Sequence, residues 1–468
     1  MPKSKKAIKK LLDGVGQLSF TFGFPNDETQ ETQENEPPTS IEPDPIRSKP
    51  ERKRKWHSLI DKVYALPNLM RAWERVRINN GSAGSDGMTI ARFEQESERF
   101  LGELHVDLRD KHYRPGPVRR VCIPKSGGGQ RPLGIPSVRD RIVQQALLQI
   151  LEPIFDPTFS GRSHGFRPGK GCESALTVVD QAIRSSYTHV VDADIQSFFD
   201  TVDHEKLIDA VNSEVADGRV LKLIRQILTA GVVFAHSGEV EPTTLGTPQG
   251  GPLSPLLANI YLDRLDKKLM AARYGLVRYA DDFVIFTKSE EEALSALSAA
   301  QQVLTEELGL VLHPEKTRVV SVDEGFEFLG FHYFRDPKTG VRCKEVRLKS
   351  VQRFRDAIRL RTPRPSNQRR VKIRHITLAR LSQNQRLSRM IIDLNSYLAG
   401  WHGYFKQARL RYEPAFNSFD GFVRRRLRSA IVGRTGNGWW THQITNSMLR
   451  RLGLKSLVDL HLRYLRVS

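Results

Sequence analysis

Two carboxylates, Asp281 and Asp282, stand side by side in "RYADDFVIF" (278–286), where nearly every other residue is apolar, β-branched or aromatic. Runs of this kind form buried strands. An isolated acidic pair is ordinarily a solvated turn, but strand-like flanks put this one at the tip of a tight hairpin with both side chains held close together. Ionised carboxylates at that distance raise each other's pKa unless a cation offsets them. Hard oxygen donors suit Mg²⁺, which combines one or two carboxylates with waters and substrate phosphates. The matching chemistry is phosphoryl or nucleotidyl transfer, in which two ions about 3.5–4 Å apart activate the attacking oxygen and stabilise the leaving one.

Such a site needs a further carboxylate from another strand. The segment "THVVDADIQSFFDTVDHEKL" (188–207) contains Asp192, Asp194, Asp200 and Asp203. Asp194 closes the strand-like "HVVDADI" and precedes an aromatic pair and a helix start, so it is the expected third ligand. Asp203 reads as a helix cap or a surface acid. Asp192 shares Asp194's face but lies about 7 Å nearer the strand's start.

The elements that position these acids alternate. From Trp56 the pattern is helical and ends in the loop "NNGSAGSDG". Between Val121 and Phe334 short β-rich runs alternate with helical ones, including "RDRIVQQALLQILEPIF", the hairpin "YGLVRYADDFVIFTK" and a helix over about 289–308. Residues 346–468 are rich in Arg and read as amphipathic helices. The expected class is α+β, with residues 1–55 a disordered tail, 56–120 helices and a Gly-rich loop, 121–340 alternating strands and helices, and 346–468 a second, helical and basic domain. No fixed-period repeat is present.

Composition agrees with an anionic partner. There are 73 Lys and Arg against 53 Asp and Glu in 468 residues, a net charge of +20, and a basic excess favours nucleic acid because phosphate neutralisation releases condensed counterions. Cys122, Cys172 and Cys343 have no paired spacing, which argues against a disulfide framework or a zinc ribbon. With no apolar run of membrane-spanning length and no cleavable leader, the expectation is a soluble intracellular protein.

Three motifs in order, "DADIQSFFD", "GTPQGGPLSPLLANIYLDRLD" and "RYADDFVIF", resemble the palm motifs of reverse transcriptases, specifically those encoded by group II introns. The resemblance implies a right-hand polymerase fold and an RNA-directed DNA polymerase. It implies that Asp194, Asp281 and Asp282, with the backbone carbonyl of Ile195, hold two Mg²⁺ ions, for which Mn²⁺ can substitute. Phe199 matches the aromatic steric gate that favours dNTPs; the other reading of Phe199 is core packing. Gln249 and Gly250 match the loop that contacts the incoming nucleotide and template. Lys125 and Arg131, flanking a Gly-rich turn, match the triphosphate-binding fingers motif, with Arg167 and Lys170 in looser template contact. Lys316 matches a general acid toward pyrophosphate, or is a surface lysine. "FEFLGFHYF" (326–334) resembles the primer grip, or its aromatics are core. Asp281 is expected to bridge both ions and Asp282 to be the more tolerant partner.

"LNSYLAGWHGYFKQA" (394–408) is similar to the maturase signature, with Ala399 where many relatives have arginine before the Gly-Trp pair. Helices rich in Arg with interspersed Trp and Tyr pair with phosphates and stack on bases, and "RRRLR" (424–428) reads as a phosphate clamp or as a solvated helix face. The implied partners are intron RNA, an RNA template, a DNA primer or target and dNTPs. No HNH endonuclease is expected. The implied roles are reverse transcription, splicing assistance and retrohoming; the rivals are a host-adopted enzyme of repair or phage defence, and a maturase without polymerase activity.

Overall fold

The computed structural model describes residues 55–124, 130–234, 239–363, 376–408, 412–433 and 443–467. In chain order its strands are β1 (Val118–Pro124), β2 (Gln130–Ile135), β3 (His189–Asp194), β4 (Val232–Phe234), β5 (Val240–Glu241), β6 (Gly275–Tyr279), β7 (Asp282–Thr287), β8 (Arg318–Ser321), β9 (Phe326–Phe328), β10 (Phe331–Arg335) and β11 (Arg342–Val346). The chain divides into two compact units. Among the described residues the first takes those within 55–169, 195–273 and 301–311, and the second those within 170–194, 274–300 and 312–467; the expected tail over 1–55 lies almost wholly outside the described residues.

The first unit is helical around a sheet of order β2-β1-β4-β5, in which β1 pairs antiparallel with β2 and parallel with β4. Helix Leu66–Asn79 buries Leu69, Ala72, Trp73 and Val76, the three- and four-residue spacing seen in the sequence. It packs on helix Val138–Phe155, and the Asn68 amide donates to Val63 and Ala146 carbonyls at 3.1 Å each, so a buried polar side chain is satisfied by backbone. Asp217 caps helix Gly218–Leu228 and also accepts the N–H groups of Leu59 (2.7 Å) and Ile60 (2.9 Å). Burial pushes its carboxyl up, but these backbone donors outweigh burial and hold it below the usual range.

The second unit is built on an antiparallel sheet of order β6-β7-β3-β8. Phe283, Val284, Ile285 and Phe286 of β7 are all buried, so both faces of that strand are covered and the run is continuously apolar instead of alternating. A second sheet, β11-β10-β9, supplies Phe326 and Tyr333, whose rings stack at 4.9 Å. The aromatics of 326–334 with the least exposure, Phe326, Phe331 and Tyr333, are core.

Helices Leu348–Arg361, Gln385–Phe405, Tyr412–Val432 and Leu457–Val467 follow. Phe354, Phe405 and Phe419 surround Trp401 with ring centres 4.7–5.1 Å away. Trp401, 8% exposed, is therefore a core residue and not a platform for bases. Asp420 accepts from the Ser456 hydroxyl (2.5 Å) and the Leu457 N–H (2.9 Å), fixing the start of the last helix. The architecture is α+β, with an antiparallel sheet followed by a helical domain.

Candidate active site

The acids expected to act together meet on the central sheet of the second unit. Asp194 ends β3 and stands directly opposite Asp282, the first residue of β7. Tyr279 on β6 flanks Asp282 from the other side, and Ala280 and Asp281 form the two-residue turn between β6 and β7. Ala280 adopts φ +58°, a left-handed conformation that costs a side-chain-bearing residue energy. The fully buried Arg278 supports that turn by donating from Nη1 to the Ala280 carbonyl at 2.9 Å.

Electrostatics at the sheet end are those of crowded negative charge. The Asp282 carboxyl is pushed up to about 7, first by lost solvation, then by Asp281, Asp194 and Asp192, with Arg347 acting in the opposite direction. Because Asp282 keeps an open face, its solvation loss is partial and the three acidic neighbours are the sturdier cause. Asp192 is also raised, by burial, with Arg318 opposing from 3.2 Å. Asp194 carries a cation: Lys316 Nζ lies 2.6 Å from its Oδ2. The turn holding that lysine hangs on the same strand end, since His313 donates its N–H to the Asp194 carbonyl at 2.8 Å.

These donors are hard carboxylate oxygens with repulsion left among them, which is the character a divalent ion offsets. Among the described residues no three His, Cys, Asp or Glu side chains converge tightly enough to form a ready metal-binding group.

Ile195, Phe199, Gln249, Gly250, Arg131 and Arg167 lie in the first unit, and Lys170 in the second. Ile195 is buried, at 3% exposure. Phe199, half-buried beside the buried Phe198 (ring centres 5.1 Å), lines a cavity of about 370 Å³ together with Gln249, Thr247, Arg120, Gly134 and Val232. The Gln249 carbonyl accepts from the Gly134 N–H at 2.8 Å. Gly250, at φ +124°, lies so close to β2 that a β-carbon would sit 2.6 Å from the Gly134 carbonyl oxygen, so this internal packing by itself requires glycine. Arg131 is in β2, paired with Ile123. Lys125 lies outside the described residues.

Other expectations change character. Arg167 is 9% exposed and binds Asp156 Oδ1 at 2.6 Å and the carbonyls of Ser160, Ser163 and Asp156, so its guanidinium staples its own loop. Within "RRRLR", Arg426 donates to the Thr362 carbonyl and Arg428 to the Ile444 carbonyl, leaving Arg425 as the arginine with an exposed side chain. Asp203 caps helix His204–Asn212, as its position suggested. Sequence reasoning missed Arg318 and Arg347, whose proximity to Asp192 and Asp282 has no local signature.

Comparison with known proteins gives this geometry its family. A model of "Reverse transcriptase (RNA-dependent DNA polymerase)" matches residues 123–333, and one of "Group II intron, maturase-specific domain" matches residues 366–446. Protein YkfC of Escherichia coli is 34% identical over 58% of this chain and 81% of its own length. The group II intron-encoded protein LtrA of Lactococcus lactis is 39% identical over 42% of this chain, but the match spans only 32% of LtrA. A solved partial Cas6-RT-Cas1–Cas2 complex aligns at a TM-score of 0.34 and 28% identity, covering 54% of this chain and 42% of its own, too low a score to bear on the fold. No helix among the described residues is long and apolar enough to cross a membrane. The chain belongs to the reverse transcriptases of group II intron type, in which a reverse transcriptase domain is followed by a maturase-specific domain.

Proposed function

We propose that this chain is an RNA-directed DNA polymerase that also binds group II intron RNA, assisting splicing and copying the intron during retrohoming in the bacterial cytoplasm. The observation that carries the reading is the register of Asp194 opposite Asp282, with Asp281 in the adjoining turn, inside the segment that matches the reverse transcriptase model. In this reading residues 56–120 contact the template, 121–340 form fingers and palm, and 346–468 bind RNA.

Asp194, Asp281 and Asp282, with the Ile195 carbonyl, are the residues that would hold two Mg²⁺ ions. When bound, such ions supply charge neutralisation for the attacking and departing oxygens of an in-line displacement. The chain's own residues do the rest. Phe199 fills the space of a ribose 2′-OH, Gln249 and Gly250 hold the incoming dNTP against the template, and Lys125 and Arg131 neutralise its triphosphate. Lys316 delivers a proton to departing pyrophosphate as the primer 3′-OH is joined to the α-phosphate.

Primer extension on an RNA template with Mg²⁺ and dNTPs tests this. Wild type is expected to synthesise DNA and Asp281→Ala to lose that activity. Absence of synthesis by wild type overturns the polymerase reading.

A further inference from the structure

The backbone that carries Phe199 is held by a strap. Residues 245–247 run beside the turn after Phe199, where Leu245 bridges Asp203, the Gly246 N–H donates to the Val202 carbonyl, and the Thr247 N–H donates to the Phe199 carbonyl, both at 2.7 Å. Gly246, at φ +86°, presses against that turn: a β-carbon would lie 2.7 Å from the Phe199 carbonyl oxygen and 3.0 Å from Asp200 Cα, closer than such atoms approach. The strap is itself tethered from the other side by His204, 5% exposed, whose Nε2 is 2.7 Å from the Gly246 carbonyl oxygen. Only the Nε2–H tautomer donates to a carbonyl, so the bond also fixes the tautomer.

These contacts set a short lever. Phe199, Gly246 and Thr247 all line the same cavity, and the strap grips the backbone from which the Phe199 ring projects. We propose that Gly246 and His204 are positioning residues for sugar selection: they fix the Phe199 backbone, and thereby how closely the ring approaches C2′ of the incoming nucleotide. This rests on the reading of Phe199 as the steric gate. A displacement of well under an ångström matters, because the gate discriminates by contact with one hydroxyl group and contact repulsion is steep over that distance.

The test is the ratio of kcat/KM for dCTP over CTP, measured by primer extension on an RNA template. Phe199→Val removes the gate itself and is expected to lower the ratio at least 100-fold. Gly246→Ala is expected to lower it about tenfold by pushing the Phe199 turn outward. His204→Leu, which loses the tether without adding bulk at the strap, is expected to lower it several-fold, and His204→Gln, which keeps an N–H donor, to restore most of the loss. A purely structural role would reduce synthesis from both nucleotides equally and leave the ratio unchanged. If Phe199→Val leaves the ratio unchanged, the gate reading fails; if Phe199→Val lowers it while Gly246→Ala and His204→Leu do not, the gate stands and the strap proposal is overturned. His204→Leu and His204→Gln decide the matter if Gly246→Ala is insoluble.

Discussion

Lys316 and Asp194, 122 residues apart in the chain, form an ion pair of 2.6 Å in which the lysine side chain is 58% exposed and the aspartate 29%. The lysine offsets Asp194 beside the crowded Asp282 and competes with any divalent ion for the same oxygen. An exposed pair of this kind contributes about 0.2–1 kcal/mol. Lys316→Ala is therefore expected to strengthen Mn²⁺ binding without nucleotide by up to about fivefold, while slowing nucleotide incorporation. Calorimetric titration and single-turnover extension measure the two effects, and weaker metal binding by the variant would contradict the competition.

The raised carboxyl of Asp282 gives a stability dependence with a definite sign. Without divalent ions the folded chain keeps this proton up to pH about 7, whereas the unfolded chain releases it near the ordinary value of 3.8. The folded state binds more protons across that window, so this group's contribution to stability falls as pH rises through it. Asp282→Asn is expected to melt at a higher temperature than wild type at pH 8 and to lose that advantage near pH 4. Melting curves in a chelator at the two pH values check it. Since a proton competes with a metal ion for the same oxygens, the acidic limb of wild-type activity should move to lower pH as Mg²⁺ is raised.

Two buried histidines act with the opposite sign. His402 is held down to about 4, first by burial and then by His461 and Lys406, and burial lowers His461 as well; the two rings lie 5.6 Å apart. The unfolded chain takes up a proton near pH 6.5, so stability is constant above that value and declines as pH falls toward 4. For His402 the full decline is on the order of 3 kcal/mol. His402→Leu should flatten it, as followed by denaturant unfolding at pH 7 and 5. An unchanged slope would show that His402 is protonated in the fold.

Trp401 and Arg425 separate stability from RNA binding. Removing a buried aromatic costs about 3–5 kcal/mol, so Trp401→Ala is expected to destabilise the helical domain by that amount. Arg425→Ala, at an exposed position, should leave stability within about 0.5 kcal/mol and weaken RNA affinity, reducing the slope of log K against log salt by about one. Denaturant unfolding and salt-dependent filter binding measure these, and an unaltered salt slope would remove Arg425 from the RNA contact.

Much of the site was legible in the sequence because it is local. The apolar flanks of Asp281 and Asp282 specify two strands, and a two-residue turn leaves the acids nowhere but the hairpin tip. The end of "HVVDAD" is a strand end whatever its neighbours, and Asp203 caps its helix through a bond to the N–H three residues on. Less was legible in the arginine-rich helices. A helical pattern tells which face is apolar, not which arginines meet a carbonyl, and Arg426 and Arg428 are consumed inside the fold.

The sequence by itself determined the hairpin, its acids, the strand that supplies Asp194 and the class of chemistry that such carboxylates perform, since these follow from side-chain types and from the periods of strand and helix. The tertiary structure alone decided charge and access: that Lys316 covers Asp194, that lost solvation and crowding by Asp281, Asp194 and Asp192 push the Asp282 carboxyl up, that Trp401 is buried, and that Gly246 and His204 grip the backbone of Phe199. Protonation, ion pairing and contact depend on distances to groups far away in the chain, and only the folded packing sets those distances.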